Sequence, residues 1–413
     1  MSGFSGHAVR HLVRRGVEAT TGFVQDSEYI QQLEQDARLY EDANFELSPL
    51  AVAPIIGTVV FFLLLLVSIR YTLGEVVASL AMIESPASTL LVEPKSSNLD
   101  ASSEKQPLMG EQDVELTLIP RRPLTSNLRS TIVHLHRIGG HRARWRGLGA
   151  SIVYHMTHGF AVALFSGFFP IPGPLSFVMA SVLLARIHMT WTHVMISQSS
   201  AKPWFKRIVP GRHVFKVLAL PSLVFALAQQ ATCFLPIGVA LALDLPEQIS
   251  HAKSLGEISN ADLAVLALKV LAVPATALLI AISVLLPASV TLTRIEASLL
   301  PEDEDTVVPF DRTLNGALPA AISIGDNGEP VPCTRKACRA LFVEAWRSFD
   351  RAARLRLVKF YVKMLMAMLF VAWVGLHVVG LEIFLIGGEK LAVLARAGSA
   401  QMKLAAMENR GGM

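Results

Sequence analysis

The sequence predicts an all-α membrane protein: six transmembrane helices forming three pseudo-repeated two-helix units, with amphipathic surface helices between them. Three observations carry this reading. Apolar residues make up 52% of the 413-residue chain and charged residues only 17%, whereas about a quarter of a soluble domain is charged. Six apolar runs, 51–69, 148–169, 175–196, 214–243, 263–290 and 361–387, are close to or longer than the ~20 residues that cross the hydrocarbon core of a bilayer. Finally, weaker versions of the stretch Pro287-Ala-Ser-Val-Thr-Leu-Thr-Arg294 recur twice earlier in the chain.

Residues 1–48 form an acidic N-terminal head. Its first sixteen residues contain no apolar core of the kind a secretory signal needs. With His7, Arg10, His11, Arg14 and Arg15 ahead of the first acid at Glu18, they read equally as a mitochondrial presequence or as a solvated basic helix. Glu34, Asp36, Glu41, Asp42 and Glu46 follow, and Pro49 opens the first span. The first unit, 49–170, contains a Ser-, Pro- and Glu-rich insert at 86–122, predicted disordered because so few apolar residues cannot offset the entropy of ordering it.

The second unit is 171–246, the third 247–390, and 391–413 is a C-terminal tail. Within the third, 301–332 is a polar loop with turn residues at Asn315-Gly316 and Asp326-Asn-Gly328, expected to be flexible. Two short basic segments, 125–147 and 334–360, precede even-numbered spans. In the second, Ala337, Leu341, Phe342, Ala345, Phe349 and Ala352 step by three and four, giving one apolar stripe of a helix at the membrane surface. Such a helix either contacts lipid or serves as an amphipathic connector.

The basic residues follow a membrane topology. Arg137, Arg142, Arg144 and Arg146, then Lys202, Lys206, Arg207 and Arg212, then Arg351, Arg354, Arg356 and Lys359 lie after spans one, three and five. The 168–174 turn is uncharged and the 244–261 loop is mainly acidic, so charge alternates as the positive-inside rule requires of six spans. The pI near 9.0 does not indicate nucleic acid, because no run of Lys and Arg with interleaved aromatics forms a binding face. The lipid bilayer is the expected partner, together with a solute or a protein.

Cys233 falls within a span, while Cys333 and Cys338 lie in a loop. The loop pair lacks the spacing of a metal knuckle and has no second pair, so both read as loop thiols, with no metal and no other cofactor expected. Phosphate-binding glycine loops, dinucleotide fingerprints and serine-nucleophile motifs are absent from the sequence. The chain is therefore read as no enzyme, with no catalytic residues.

Polar residues inside spans are the candidate solute-binding set. Arg186 lies near the middle of the third span and Lys269 in the fifth, where an unpaired charge costs about 2.5–3.5 kcal/mol; Glu382 in the sixth is a candidate partner for either. His155 and His158 share one face of the second span beside Tyr154, with His188 and His193 on the third. Gln229 and Gln230 would be costly facing lipid, so at least one should face inward. Arg186, Lys269, His155, His158, His188 and Gln229 are thus the solute-contact candidates, weighed against snorkelling cations and hydrogen-bonded core histidines.

Aligning the odd-numbered spans places Ser85, Ser197 and Ser298 in register, separated by 112 and 101 residues (197 − 85 and 298 − 197). A period near one hundred residues with two spans per period suggests a three-unit enclosure, since one hairpin cannot surround a cavity. Here the chain resembles the mitochondrial carrier family. Repeats of that family end the odd helix with Pro-x-Asp/Glu-x-x-Lys/Arg-x-Lys/Arg, followed by Asp/Glu-Gly, four residues, an aromatic, Lys/Arg and Gly. Pro287 and Arg294 match the first motif; Gly140, Trp145, Arg146 and Gly147 match the second.

Ser289 and Leu292 stand where that motif has its gate acid and base, and the same register puts Gly74 and Arg186 where it has proline. The inter-repeat salt bridges of the family therefore cannot form here. The resemblance implies a pseudo-threefold carrier architecture in a mitochondrial membrane. Such a protein would move a small solute by alternating access, with Arg186 and Lys269 contacting negative charge and Pro274 and Pro287 permitting helix bending. A membrane scaffold that keeps the fold without transport is the alternative. The chain also resembles fungal multi-pass membrane proteins labelled "ubiquitin carrier protein"; the residues do not support that chemistry, which needs a soluble domain presenting an activated thiol.

Overall fold

The first apolar segment continues past Ile69. In the computed structural model, α1 (Pro49–Ile69) passes into a π-helical turn (Arg70–Val77) and then α2 (Ala78–Ile83), so that Val52–Ile83 forms one 32-residue stretch. The polar residues Arg70, Thr72, Gly74 and Glu75, which end a hydropathy reading, all lie in the π turn. π-helical hydrogen bonds run i to i+5, which brings residues five apart, such as Arg70 and Glu75, toward one face. The structure describes residues 32, 35, 49–85, 88–93, 115–120, 123–198, 200, 202–209, 212–251, 260–321 and 334–411. The presequence-like start and nearly all of the acidic head lie outside these residues.

The insert expected to be disordered forms an antiparallel ribbon at its two ends. β1 (Ser88–Glu93) pairs with β2 (Glu115–Pro120), Ser88 opposite Pro120 and Glu93 opposite Glu115. Ser-Thr-Leu-Leu-Val-Glu and Glu-Leu-Thr-Leu-Ile-Pro are locally rich in strand-forming residues, a signal diluted when composition is averaged over 86–122. Residues 94–114 lie outside the described residues. The rest of the described fold is helical.

The basic segment 125–147 contains α3 (Leu128–Gly139), capped by the Asn127 side chain, which accepts from the Arg129 amide at 3.1 Å. α3 buries Thr131 and Leu135, ends at Gly140 with φ +62°, and passes through a 3-10 turn (His141–Trp145) into α4 (Leu148–Phe168). α5 (Gly173–Leu183) and α6 (Ala185–Ile196) meet at Leu184 with a 61° bend. α7 (Arg212–Ala242), α8 (Leu245–His251) and α9 (Asn260–Ile280) follow. A second π turn (Ala281–Leu285) leads into α10 (Leu286–Ser298). Pro287 explains this one: its ring would clash with the carbonyl of Ser283, four residues back, and the wider turn makes room.

α11 (Ala317–Ala321), α12 (Arg335–Arg347) and α13 (Arg351–Gly411) complete the order, the tail 391–413 continuing α13 almost to its end. Among the described residues, five stretches are long and apolar enough to cross a membrane: Val52–Ile83, His141–Phe168, Val214–Ala242, Ala261–Ser298 and Arg351–Ile386. The bent pair α5–α6 makes a sixth when taken as one broken span. This is the build of an integral membrane protein.

Two compact units divide the chain. In the unit of Met1–Val67 and Ala367–Met413, Thr58 Oγ1 donates to Glu382 Oε1 at 2.6 Å. Phe62 packs so closely on Gly375 that a Cβ there would lie 2.9 Å from its ring. The partner of Glu382 is therefore a hydroxyl, not either of the span cations.

In the unit Ser68–Met366, α2, α6 and α10 pack against one another. Leu80, Ile83, Met189, Ile196, Val290 and Ile295 lie on their buried faces. The first part of the polar loop expected to be flexible ties these helix ends together. The Gln198 amide donates to the Asp305 carbonyl (2.7 Å), Val307 to Ile196 (2.8 Å) and Ser85 to Pro309 (2.9 Å). Val308 and Leu314 are buried, so the Pro301–Asn315 strap supplies its own apolar anchors; 322–333 lie outside the described residues.

The stripe on α12 buries Leu341 and Ala345, continued by Phe349, Ala353 and Leu357, against α10 and the strap rather than lipid. Ala352, assigned to that stripe, is exposed. Cys338 is disulfide-bonded and Cys233 is free, which corrects the reading of Cys338 as a loop thiol; sequence spacing alone carries no distance.

Candidate functional site

A cavity of about 490 Å³ lies within the unit Ser68–Met366, inside the size range of small-molecule sites. All six apolar segments contribute to its wall: Arg70 and Glu75; Tyr154 and His155; His188 and Trp191; Phe225 and Gln229; Ala281 and Ser289; Tyr361 and Met364. Arg70, Gly74, Glu75, Ala281, Ile282 and Leu285 of this lining belong to the two π turns, and His188 follows the break at Leu184. The two π turns therefore line the cavity, and the break at Leu184 lies four residues before its wall residue His188. Irregular backbone at membrane depth is tolerated where it is buried in protein or lines a watery space.

One wall is aromatic. The Tyr154 ring lies 5.2 Å from His155, 5.1 Å from His188 and 5.9 Å from Trp191. Behind it, His188 Nδ1 is 2.6 Å from Glu296 Oε1, and Thr192 Oγ1 donates to Glu296 Oε2 at 2.6 Å. The Glu296 carbonyl meets His193 Nε2 at 2.7 Å. Glu296 is fully buried, so His188 connects the cavity to a carboxylate shielded from solvent.

The opposite chemistry belongs to Arg70 and Glu75. Arg70 Nη2 lies 3.7 Å from Glu75 Oε1, beyond hydrogen-bonding distance. Neither side chain has a hydrogen-bond partner among the described residues.

Of the candidates named from sequence, His155, His188 and Gln229 line the cavity. Arg186 does not: its Nη2 donates to the Val209 carbonyl at 2.7 Å. Lys269 on α9 is also outside the lining. His158 turns toward α5, its Nε2 2.9 Å from Ser181 Oγ, as a hydrogen-bonded core histidine. Sequence reading missed Arg70 and Glu75, because the first span was cut at Ile69. The apolar run Val76-Val-Ala-Ser-Leu-Ala-Met-Ile83 beyond them was the available signal.

The motif positions are structural. Gly147 has φ +74°, and an added Cβ would sit 3.1 Å from Trp191 and Met195, so glycine is required twice over. The Arg146 guanidinium donates to the Ser197 carbonyl, and its own carbonyl accepts from Tyr71 at 2.7 Å. Trp145 stacks on Tyr71 at 6.1 Å, and Pro287 opens α10. Arg294, 2% exposed, donates to the Met82 carbonyl (3.1 Å) and Ser348 (3.0 Å) between the rings of Phe310 and Phe349. No protein-family model, curated protein or solved structure matches the chain.

Proposed function

We propose that this protein is a carrier that moves a small solute across a membrane through the central cavity, its six segments acting as three two-helix units. The observation that carries the reading is a single cavity lined by residues of all six segments. The π turns Arg70–Val77 and Ala281–Leu285 line it, and a third break, at Leu184, precedes its wall residue His188. The repeat register of 112 and 101 residues relates Gly74, Arg186 and Pro287, and each lies in, or within two residues of, one of these breaks. Broken helices around a midplane site are the common device of alternating access. The likeness of Pro287, Arg294 and Gly140 through Gly147 to carrier motifs adds the expectation of a mitochondrial membrane, which a fluorescent fusion would test.

A non-transporting scaffold is the second reading. It is favoured by the hydrogen-bonded strap, which ties all three helix ends together on one side. Labelling discriminates between the two. In a Cys233→Ser background reconstituted into liposomes, Ser289→Cys is exposed to a charged, impermeant methanethiosulfonate from one side or the other. A carrier reacts from both sides, at a rate well above the parent without the added cysteine. Reaction from one side only, or from neither, sinks the transport reading in favour of the scaffold.

A further inference from the structure

We infer that the cavity takes a small zwitterion of the α-amino acid type, its carboxylate meeting Arg70 and its ammonium meeting Glu75; this rests on the carrier reading and names its solute class. The argument begins with the charges on the wall. Arg70 and Glu75 are the only Arg, Lys, Asp or Glu among the lining residues. His188 is already engaged by Glu296, leaving His155 as the remaining imidazole of the lining. His188 and the buried Glu296 carboxylate balance each other behind the wall, so Arg70 and Glu75 are the positive and the negative group left for a solute.

A simple anion would satisfy Arg70 but bring like charge against Glu75. Phosphate-bearing solutes are gripped by several cations together, and this wall offers one. A neutral solute would displace water from both ions without replacing it, a heavy penalty for charge in apolar surroundings. An α-amino acid carries both complements a few bonds apart, on the scale of the 3.7 Å between Arg70 Nη2 and Glu75 Oε1. It can replace the loose contact with two charged hydrogen bonds. Its side chain then meets Tyr154, Trp191, Phe225 and Tyr361, the aromatic part of the same lining.

The i to i+5 geometry of the π turn strengthens the assignment. In an α-helix, residues five apart point in divergent directions. The π turn between them thus has a use: it presents opposite charges side by side.

The experiment is thermal unfolding of the purified full-length protein with L-leucine, L-phenylalanine and L-serine as zwitterions. Succinate, inorganic phosphate, putrescine and glucose represent the other classes. The inference expects dose-dependent stabilisation by the zwitterions alone, with half-maximal concentration raised about tenfold or more in Arg70→Gln and in Glu75→Gln. Both variants should unfold near the parent temperature without solute, since neither side chain has a hydrogen bond among the described residues and their ion pair is loose. Stabilisation by another class overturns the zwitterion assignment and leaves the carrier reading standing. Zwitterion stabilisation unchanged in both variants overturns the named contacts. No response to any class counts against both. Zwitterion binding without uptake of labelled leucine into liposomes supports the site and sinks transport.

Discussion

Along the same three helices, polar groups are treated in two opposite ways. At the breaks, Arg70 and Glu75 face a cavity with no hydrogen-bond partner among the described residues. At the C-terminal ends, charges are held by the protein itself. Arg207 Nε and Nη2 donate to the two Glu304 oxygens at 2.9 and 2.8 Å, and Nη2 also reaches Ser197 at 3.0 Å. A charge in low dielectric needs partners. Where the chain supplies them the region is architecture; where it withholds them, solvent or solute must do so. The contrast separates candidates better than the mere presence of an ionisable residue in a span, because Arg186, despite its position, is held by the Val209 carbonyl.

The sharpest way to break this comparison is Glu304→Ala. It leaves Arg207 buried without its carboxylate and should destabilise the protein by about 3–5 kcal/mol, read from thermal unfolding; an unchanged midpoint would mean that the strap is not held by this pair. Thr192→Val removes the hydroxyl that meets Glu296 Oε2 and should cost about 1–3 kcal/mol at nearly constant volume. A smaller effect is expected from acid. Partial burial works against ionisation of Asp311, but the Thr313 hydroxyl, the Asn315 and Thr313 amides and Arg294 outweigh it and hold its carboxyl below the ordinary range. Its stabilisation is therefore complete above that range and fades as pH falls through about 4 and lower. Hydrogen exchange at 311–315 should accelerate with acid in the parent, and Asp311→Asn should remove that step. Lys202→Ala breaks an ion pair with Asp303 whose side chains are both more than half exposed, and should leave the unfolding temperature unmoved.

The apolar segments were legible because a span must be long and apolar whatever surrounds it. Their ends were less so: the π turn places charge inside a segment, and periodicity tuned to an α-helix reads Arg70 as a boundary. Half of the candidate solute contacts, His155, His188 and Gln229, reached the cavity wall; Arg186 and Lys269 did not. Polarity within a span signals that a partner exists, but not whether it is a carbonyl such as that of Val209 or a cavity. The strap was hidden for the converse reason. Asp and Pro at 301–311 read as a flexible loop, while its anchors Val307, Val308 and Leu314 are too scattered to show a period.

The π turn carries one more implication. Each of its rings encloses one residue more than an α-helical ring, so losing any single residue between Arg70 and Val77 would let the segment relax to ordinary helix. Because the wider ring completes its turn with that extra residue, everything downstream would keep its phase. Ser79 and Met82 would stay on the cavity side, and Leu80 and Ile83 would keep their buried seats. A residue lost from the regular helix on either side would instead rotate all that follows by about 100°. A one-residue deletion should therefore do less harm within these eight positions than beside them.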